Sequence, residues 1–391
     1  MLIKRLRLKK VLSFNDSEIE LGQLNVLIGP NAVGKSNLIE IIGLLRAAPS
    51  SIAGAILRGG GVRQWIWLGD RIPRPIAAVE VELKLVRGRQ FGPLVYHLEF
   101  SEENSGFVIL NEQIAKVNPD PGSDGIYLVR NSQGVEFGSE TLKVMPNAAR
   151  GMILSSNESA LSQFKSLADP TPISELGNHL AQIRIFREFR TSPQSPVRIG
   201  VSTSVQKEAL AEDSDNLALV LNDLDLRGVH DRIRDYLQRF CERFEDVKVG
   251  VGEGLARILL REGGLVEMLS AIRMSDGTLK FLSLLAALFH PKAPQLMCIE
   301  EPEVGLHPDA MQLVAEALLE ASHSMQLIVT THSDALIDSL TDRPESVLVC
   351  ERDFDNATQM KRLSKKDLRE WLEHYTLGQL WRKGEIGGGR W

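Results

Sequence analysis

Cysteine is scarce: the 391 residues contain three, Cys241, Cys298 and Cys350, far apart in the chain. That spacing excludes a disulfide framework and a paired-cysteine metal motif, and buried thiols are the expectation. Long apolar runs are also missing. None reaches the roughly 20 residues of a bilayer span, and MLIKRLRLKK alternates Lys and Arg with Leu where a secretory leader would be continuously apolar. A cytoplasmic protein without a membrane partner is expected. There are no sustained heptads and no Cys-x-x-Cys hook, which excludes a long coiled-coil arm. Internal repeats are absent, and the glycine-rich tail is the one low-complexity tract. The net charge of −6 gives no global attraction to nucleic acid, so any DNA contact needs a local basic patch.

With 43% apolar and 25% charged residues, the composition is that of an ordinary globular protein. The length allows two or three structural units, or one large α/β domain carrying an insertion. Residues 2 to 28 alternate apolar and polar positions and end in the apolar run Leu24 to Ile28, a buried strand. A glycine-bearing turn follows, then a helix in KSNLIEIIGLLRAA that stops near Pro49. GAILRGGGVRQWIWLG reads as a loop. Period-two patterning over residues 76 to 145 predicts an antiparallel meander. Between about 155 and 245 the period becomes helical, with Pro-rich TSPQSPVRIG as an interrupting loop. VKVGVGEGLARILLREGG is strand-like. After it the chain alternates helix (Thr278 to Phe289), strand (Leu296 to Ile299), helix (Asp309 to Ser322) and strand (Gln326 to Thr330), the order of a parallel sheet. The expected organisation is an N-terminal lobe over 1–150, an inserted, mostly helical subdomain over 151–264 and a C-terminal lobe over 265–391.

GPNAVGKSN, Gly29 to Asn37, contains G-x-x-x-x-G-K-[ST] with a strand before it and a helix after it. The spacing lets the amides of Gly29, Pro30, Asn31, Ala32, Val33 and Gly34, proline excepted, curl around phosphate oxygens. Lys35 then reaches the β and γ phosphates, and Ser36 offers a hydroxyl to Mg²⁺. In IEEPEVGLHP two acids end an apolar strand. Glu300 suits the metal side and Glu301 suits a general base that polarises the attacking water, while Glu303 reads as a solvated acidic turn. His332, in VTTHS after the next apolar strand, is a candidate γ-phosphate contact. Ser275 and Gly277, in MSDGTLKFL, lie at a helix start able to bind an anion.

In this order the motifs resemble the ABC-type ATPases of the SMC/RecF/OLD group, specifically the compact AAA_21 ATPases, over about residues 1 to 75 and 265 to 391. The resemblance implies an α/β ABC-type ATPase head with a mixed central sheet, an antiparallel β subdomain and an inserted helical subdomain. It further implies ATP and Mg²⁺ as cofactors, and a signature segment, Ser275 to Thr278, acting on ATP held by the P-loop of a second subunit. Val304 to His307 become the D-loop, His332 the switch histidine and Gln64 the Q-loop candidate on the metal. The partners implied are a head-to-tail homodimer or higher homo-oligomer. LGQLWRKGEIGGGRW resembles the end of a subgroup that sits beside a nuclease-like effector in anti-phage systems such as PARIS; Trp381 and Trp391 argue that this tail docks onto something.

The expected function is an ATP-gated dimerising switch in anti-phage defence or DNA maintenance, with a separately encoded nuclease or toxin effector. Two other readings stay open: the energy subunit of a transporter, against which the SDGT signature and the EEPE acids stand, and an ATP-binding scaffold with little turnover. Asp353-Phe-Asp355 reads as a polar turn, because too few residues follow His332 for a TOPRIM nuclease domain. Arg184, Arg187 and Arg190, and the cluster Lys361, Arg362, Lys365 and Lys366, are DNA-facing candidates whose commoner explanation is a solvated face.

Overall fold

The computed structural model describes residues 2–69, 74–85, 92–119, 123, 125–144, 154–164, 171–206 and 208–388. The chain divides into two units. One comprises Met1–Ile183, Ser346–Leu363 and Ile386–Trp391; the other comprises Arg184–Glu345 and Ser364–Glu385. The 150/151 boundary expected from patterning lies outside the described residues.

In the first unit the alternation of Ile3–Val11 buries Ile3, Leu6, Leu8 and Val11 and turns Arg5 and Arg7 outward, where they pair with Glu18. This strand is flanked by Phe14–Glu20 and Ala77–Lys84. The sheet continues through Pro93–Glu103, Gly106–Lys116, Ile126–Asn131 and Gly134–Phe137, antiparallel throughout. A buried carboxylate fastens Ser155–Phe164 to this meander. Glu112 accepts the Tyr96 hydroxyl at 2.8 Å and the Ala160 N–H at 2.8 Å, with the Arg130 guanidinium 3.5 Å away. Those partners are what make a fully buried acid tolerable, and the same burial pushes the Tyr96 phenol well above its ordinary pKa.

The unit also holds a mixed three-stranded arrangement: Val347–Arg352 runs parallel to Leu24–Ile28 and antiparallel to Thr358–Arg362. All five residues of Leu24–Ile28 are buried, Asn25 among them because its side chain exchanges hydrogen bonds with the Gly22 backbone. The helix Lys35–Ala47 follows it and buries Leu38, Ile41, Ile42 and Leu45.

In the second unit Arg184–Phe186, Leu296–Glu300 and Gln326–Thr330 pair in parallel. Helices Asp276–Leu288 and Met311–Ser322 carry the apolar faces expected of a crossover. A separate antiparallel sheet joins Val201–Ser202, Leu255–Glu262, Phe244–Gly252 and Leu269–Ser270. No helix among the described residues is long and apolar enough to cross a membrane.

Three local expectations give way, and a fourth, docking of the tail, holds. GAILRGGGVRQWIWLG contains two short helices, Ile52–Arg58 and Val62–Trp65; the Ser51 side chain caps the first by accepting the Gly54 N–H. Within the helical-period region lies the strand Arg184–Phe186, too short to register a period. The Pro-rich loop contains one helical turn, Pro196–Ile199, started by a proline whose missing N–H is needed by no helix bond there. The tail does dock, onto its own unit: helix Leu377–Lys383 lies against Asp334–Asp338 and buries Trp381, while Trp391 is outside the described residues.

Candidate functional site

The loop after Leu24–Ile28 depends on its glycines. Gly29 and Gly34 have φ of 146° and 109°, and Ala32 between them has 59°, a backbone that favours residues without a Cβ. Space is as restrictive as conformation. A Cβ on Gly29 would lie 2.4 Å from the Cys350 carbonyl oxygen, and one on Gly34 would lie 2.2 Å from Thr358 Oγ1 and 2.5 Å from Ser13 Oγ. The hairpin Val347–Arg362 is therefore the back wall of the loop. Thr358 donates to the Val33 carbonyl at 2.6 Å, and Arg352 donates to the Ala32 carbonyl. Neither residue has a local sequence signal; their partners lie more than three hundred residues earlier.

Lys35 is 6% exposed, and its ammonium donates to the Gly29 and Pro30 carbonyls at 2.7 and 2.9 Å. A buried cation satisfied by the loop's own backbone keeps the curl closed and its amides turned inward. Ser36 is exposed at the head of the helix and Asn37 half-buried. Below the loop, burial pushes the Cys350 thiol up to about 12, so it stays protonated. This cradle, a glycine curl at a helix N-terminus with a lysine across it, fits a phosphate chain. Gln64 sits exposed on the helix Val62–Trp65, and no hydrogen bond joins it to the loop among the described residues.

In the second unit the strand Leu296–Glu300 ends opposite Thr330. Glu301 then takes φ 45°, unusual for a residue with a side chain, while its N–H donates to the Thr330 carbonyl at 3.0 Å. Such strain persists where surrounding structure imposes it, often at functional positions. It leaves the Glu301 carboxylate half-exposed, 3.8 Å from Nε2 of His332. Glu300 is mostly buried and ion-paired with Arg187 at 3.4 Å. Both acids, with Arg187, Phe189, Lys280 and Val304, line a cavity of about 280 Å³.

Glu303 is not solvated. One of its oxygens accepts both the Thr331 hydroxyl and the His332 N–H at 2.7 Å. The other has no hydrogen-bond partner among the described residues. Burial accordingly raises the Glu303 pKa above the usual carboxylate range, against the lowering effect of its two donors. The sequence missed this because the partners are 28 and 29 residues further on.

Ser275 is exposed and caps Asp276–Leu288, accepting the Thr278 N–H at 3.1 Å. Gly277 abuts the next motif: a Cβ there would lie 3.0 Å from the Gly305 carbonyl, while Lys280 donates to the Val304 carbonyl at 3.2 Å. The segments around Gly277 and around Val304 and Gly305 thus form one packed edge. Among the basic candidates, Arg187 pairs with Glu300 and Arg190 with Asp213 and Asp215, so these two charges are matched within the fold, while Arg362 donates to the Glu20 backbone carbonyl and to Asn25 Oδ1. Asp353 is engaged by its own turn, accepting the N–H groups of Asp355 and Ala357.

A family model described as AAA_21, "AAA domain, putative AbiEii toxin, Type IV TA system", matches residues 24–338. The chain belongs to the AAA_21 family. Among curated proteins this AAA_21 chain is similar to the Old nuclease of Escherichia phage P2, 25% identical over 260 residues; the match covers 65% of the chain and 39% of the nuclease's length. Among solved structures it resembles an Smc head bound to the C-winged helix domain of ScpA, with TM-score 0.57, 14% identity, and 94% and 99% of the two chains covered. It also resembles an Smc head with an extended coiled coil bound to the C-terminal domain of ScpA derived from Pyrococcus furiosus, with TM-score 0.56, 15% identity, and 95% and 99% covered. These likenesses establish the fold, an α/β P-loop ATPase head. Family, relative and fold agree on an ATPase domain of the SMC/OLD type, for which ATP and Mg²⁺ are the implied cofactors. The Ser36 hydroxyl in the first unit and the Glu300 carboxylate in the second are each hard oxygen donors of the kind Mg²⁺ takes.

Proposed function

We propose that the chain is a Mg²⁺-dependent ATPase working as a switch: ATP closes a head-to-tail homodimer, hydrolysis reopens it, and the change is conveyed to a partner. The N–H groups of residues 29 to 34 other than Pro30 and the Lys35 ammonium bind the triphosphate, and Asn37 adds a polar group at the helix start. Ser36 and Glu300 would hold the magnesium ion, with Gln64 a further ligand. When bound, that ion would neutralise charge on the phosphates. Glu301 takes the proton of the attacking water, and His332 donates to the γ-phosphate. Ser275 and Gly277 complete the site of the second subunit.

The observation that carries this reading is the strained Glu301 beside His332, with Glu303 holding the histidine's backbone N–H: a carboxylate and an imidazole side by side at two strand ends support the pairing of a base with a phosphate contact. Defence is the proposed setting, with a separately encoded nuclease or toxin as effector; the family description and the phage nuclease relative support it. DNA is a further candidate partner, and the cytoplasm the proposed compartment. Phosphate release from ATP by the purified chain tests the reading. Mg²⁺-dependent release lost in Lys35→Ala supports it; release no greater than in Lys35→Ala contradicts it.

A further inference from the structure

Arg198, in the Pro-rich loop, has a guanidinium buried to 8% exposure and surrounded by acceptors. Nε donates to the Thr191 carbonyl at 2.6 Å, Nη1 to the carbonyls of Ala271 and Met274 at 2.9 and 2.7 Å, and Nη2 to Asp276 Oδ1 at 2.5 Å. Every acceptor beyond Thr191 belongs to the segment Ala271 to Asp276, which brackets Ser275. Asp276 is itself mostly exposed, and the Arg198 hydrogen bond holds its carboxyl below the usual range. Directly after Arg198 the chain enters the small antiparallel sheet, where Val201 pairs with Ala256. A planar five-donor group that binds three consecutive features of one segment fixes its path more firmly than a point charge would.

We propose that Arg198 is a positioning residue for the signature: it sets the path of Ala271 to Asp276, aims the Ser275 cap, and passes displacement of the antiparallel sheet to that segment. This rests on the composite-site reading above. The consequence is separable from nucleotide capture. Arg198 should leave ATP binding at the P-loop intact and act on the nucleotide of the second subunit.

The test mixes subunits. Arg198→Ala alone is expected to bind a fluorescent ATP analogue within about twofold of wild type and to lose at least about tenfold in turnover, the scale of one charge-assisted bond. Mixed with Lys35→Ala subunits, it should regain activity, because each mixed dimer has one intact P-loop facing one intact signature. Ser275→Arg mixed with Lys35→Ala is the reference. If the reference recovers and Arg198→Ala does not, or if Arg198→Ala alone turns over like wild type, the Arg198 assignment is wrong. If the reference fails as well, the composite-site reading has failed and takes this proposal with it. Should Arg198→Ala not fold, Arg198→Lys and Asp276→Ala are read by hydrogen exchange at the Thr278 and Leu279 amides, which Ser275 caps. Faster exchange there than in the rest of the helix is expected, and unchanged exchange overturns the proposal.

Discussion

Glu303 accepts the backbone N–H of His332 at 2.7 Å. The third acid of IEEPEVGLHP is thereby a brace between two strand ends, holding the start of the loop that bears the histidine. Thr331 adds its hydroxyl to the same oxygen, so two donors depend on one acceptor.

The brace has a pH signature. Because burial raises the Glu303 pKa in the fold, protonation favours the folded state. The stability it contributes is complete below the ordinary carboxylate pKa and is lost as pH rises through the elevated one. Glu303→Gln, neutral and still an acceptor, should flatten that part of the profile and raise stability at neutral pH. Glu303→Ala should lower turnover by about tenfold by abandoning both donors. Urea midpoints measured across the carboxylate range check the first claim; superimposable profiles for wild type and Glu303→Gln contradict it.

Lys35→Ala should weaken ATP binding by about tenfold to a hundredfold, the loss of charge-assisted bonds to phosphate. Fluorescence titration with an ATP analogue measures it. Undiminished affinity would place the nucleotide elsewhere.

Thr358→Val keeps shape and removes the hydroxyl that ties the loop to its back wall through Val33 and Ser13. A loss of about 1–3 kcal/mol is expected, with weaker nucleotide binding, because buried acceptors are left unmade. Urea unfolding with and without ATP separates the two effects; no change in either removes Thr358 from the cradle.

Trp381 is 1% exposed. Trp381→Ala should cost about 3–5 kcal/mol, the penalty for emptying a core position. An unchanged unfolding midpoint would return the tail to the status of an unattached segment.

The parallel strands were legible because Leu24–Ile28, Leu296–Glu300 and Gln326–Thr330 are short apolar runs bounded by turn residues, and the loop because glycine positions and lysine are fixed by phosphate geometry. Arg184–Phe186 was hidden: three residues cannot display a period, and the charged Arg187 and Glu188 directly after it look like a helix face. Glycines masked Ile52–Arg58, whose stability comes from the Ser51 cap and from burying Ile52 and Ile56. The supports of the site, Thr358, Glu303 and Arg198, were illegible for one reason. Apart from the Arg198–Thr191 bond, each acts through partners 28 to 345 residues away, and pattern within a window carries no information about such pairs.

The general base is the claim on which the switch depends. Glu301→Gln keeps the side chain's size and its acceptor oxygen but cannot take a proton. Its mass in solution and its bound nucleotide should be measured with ATP and Mg²⁺. The account predicts a stable dimer retaining unhydrolysed ATP; a variant that hydrolyses ATP at the wild-type rate and stays a monomer would contradict it.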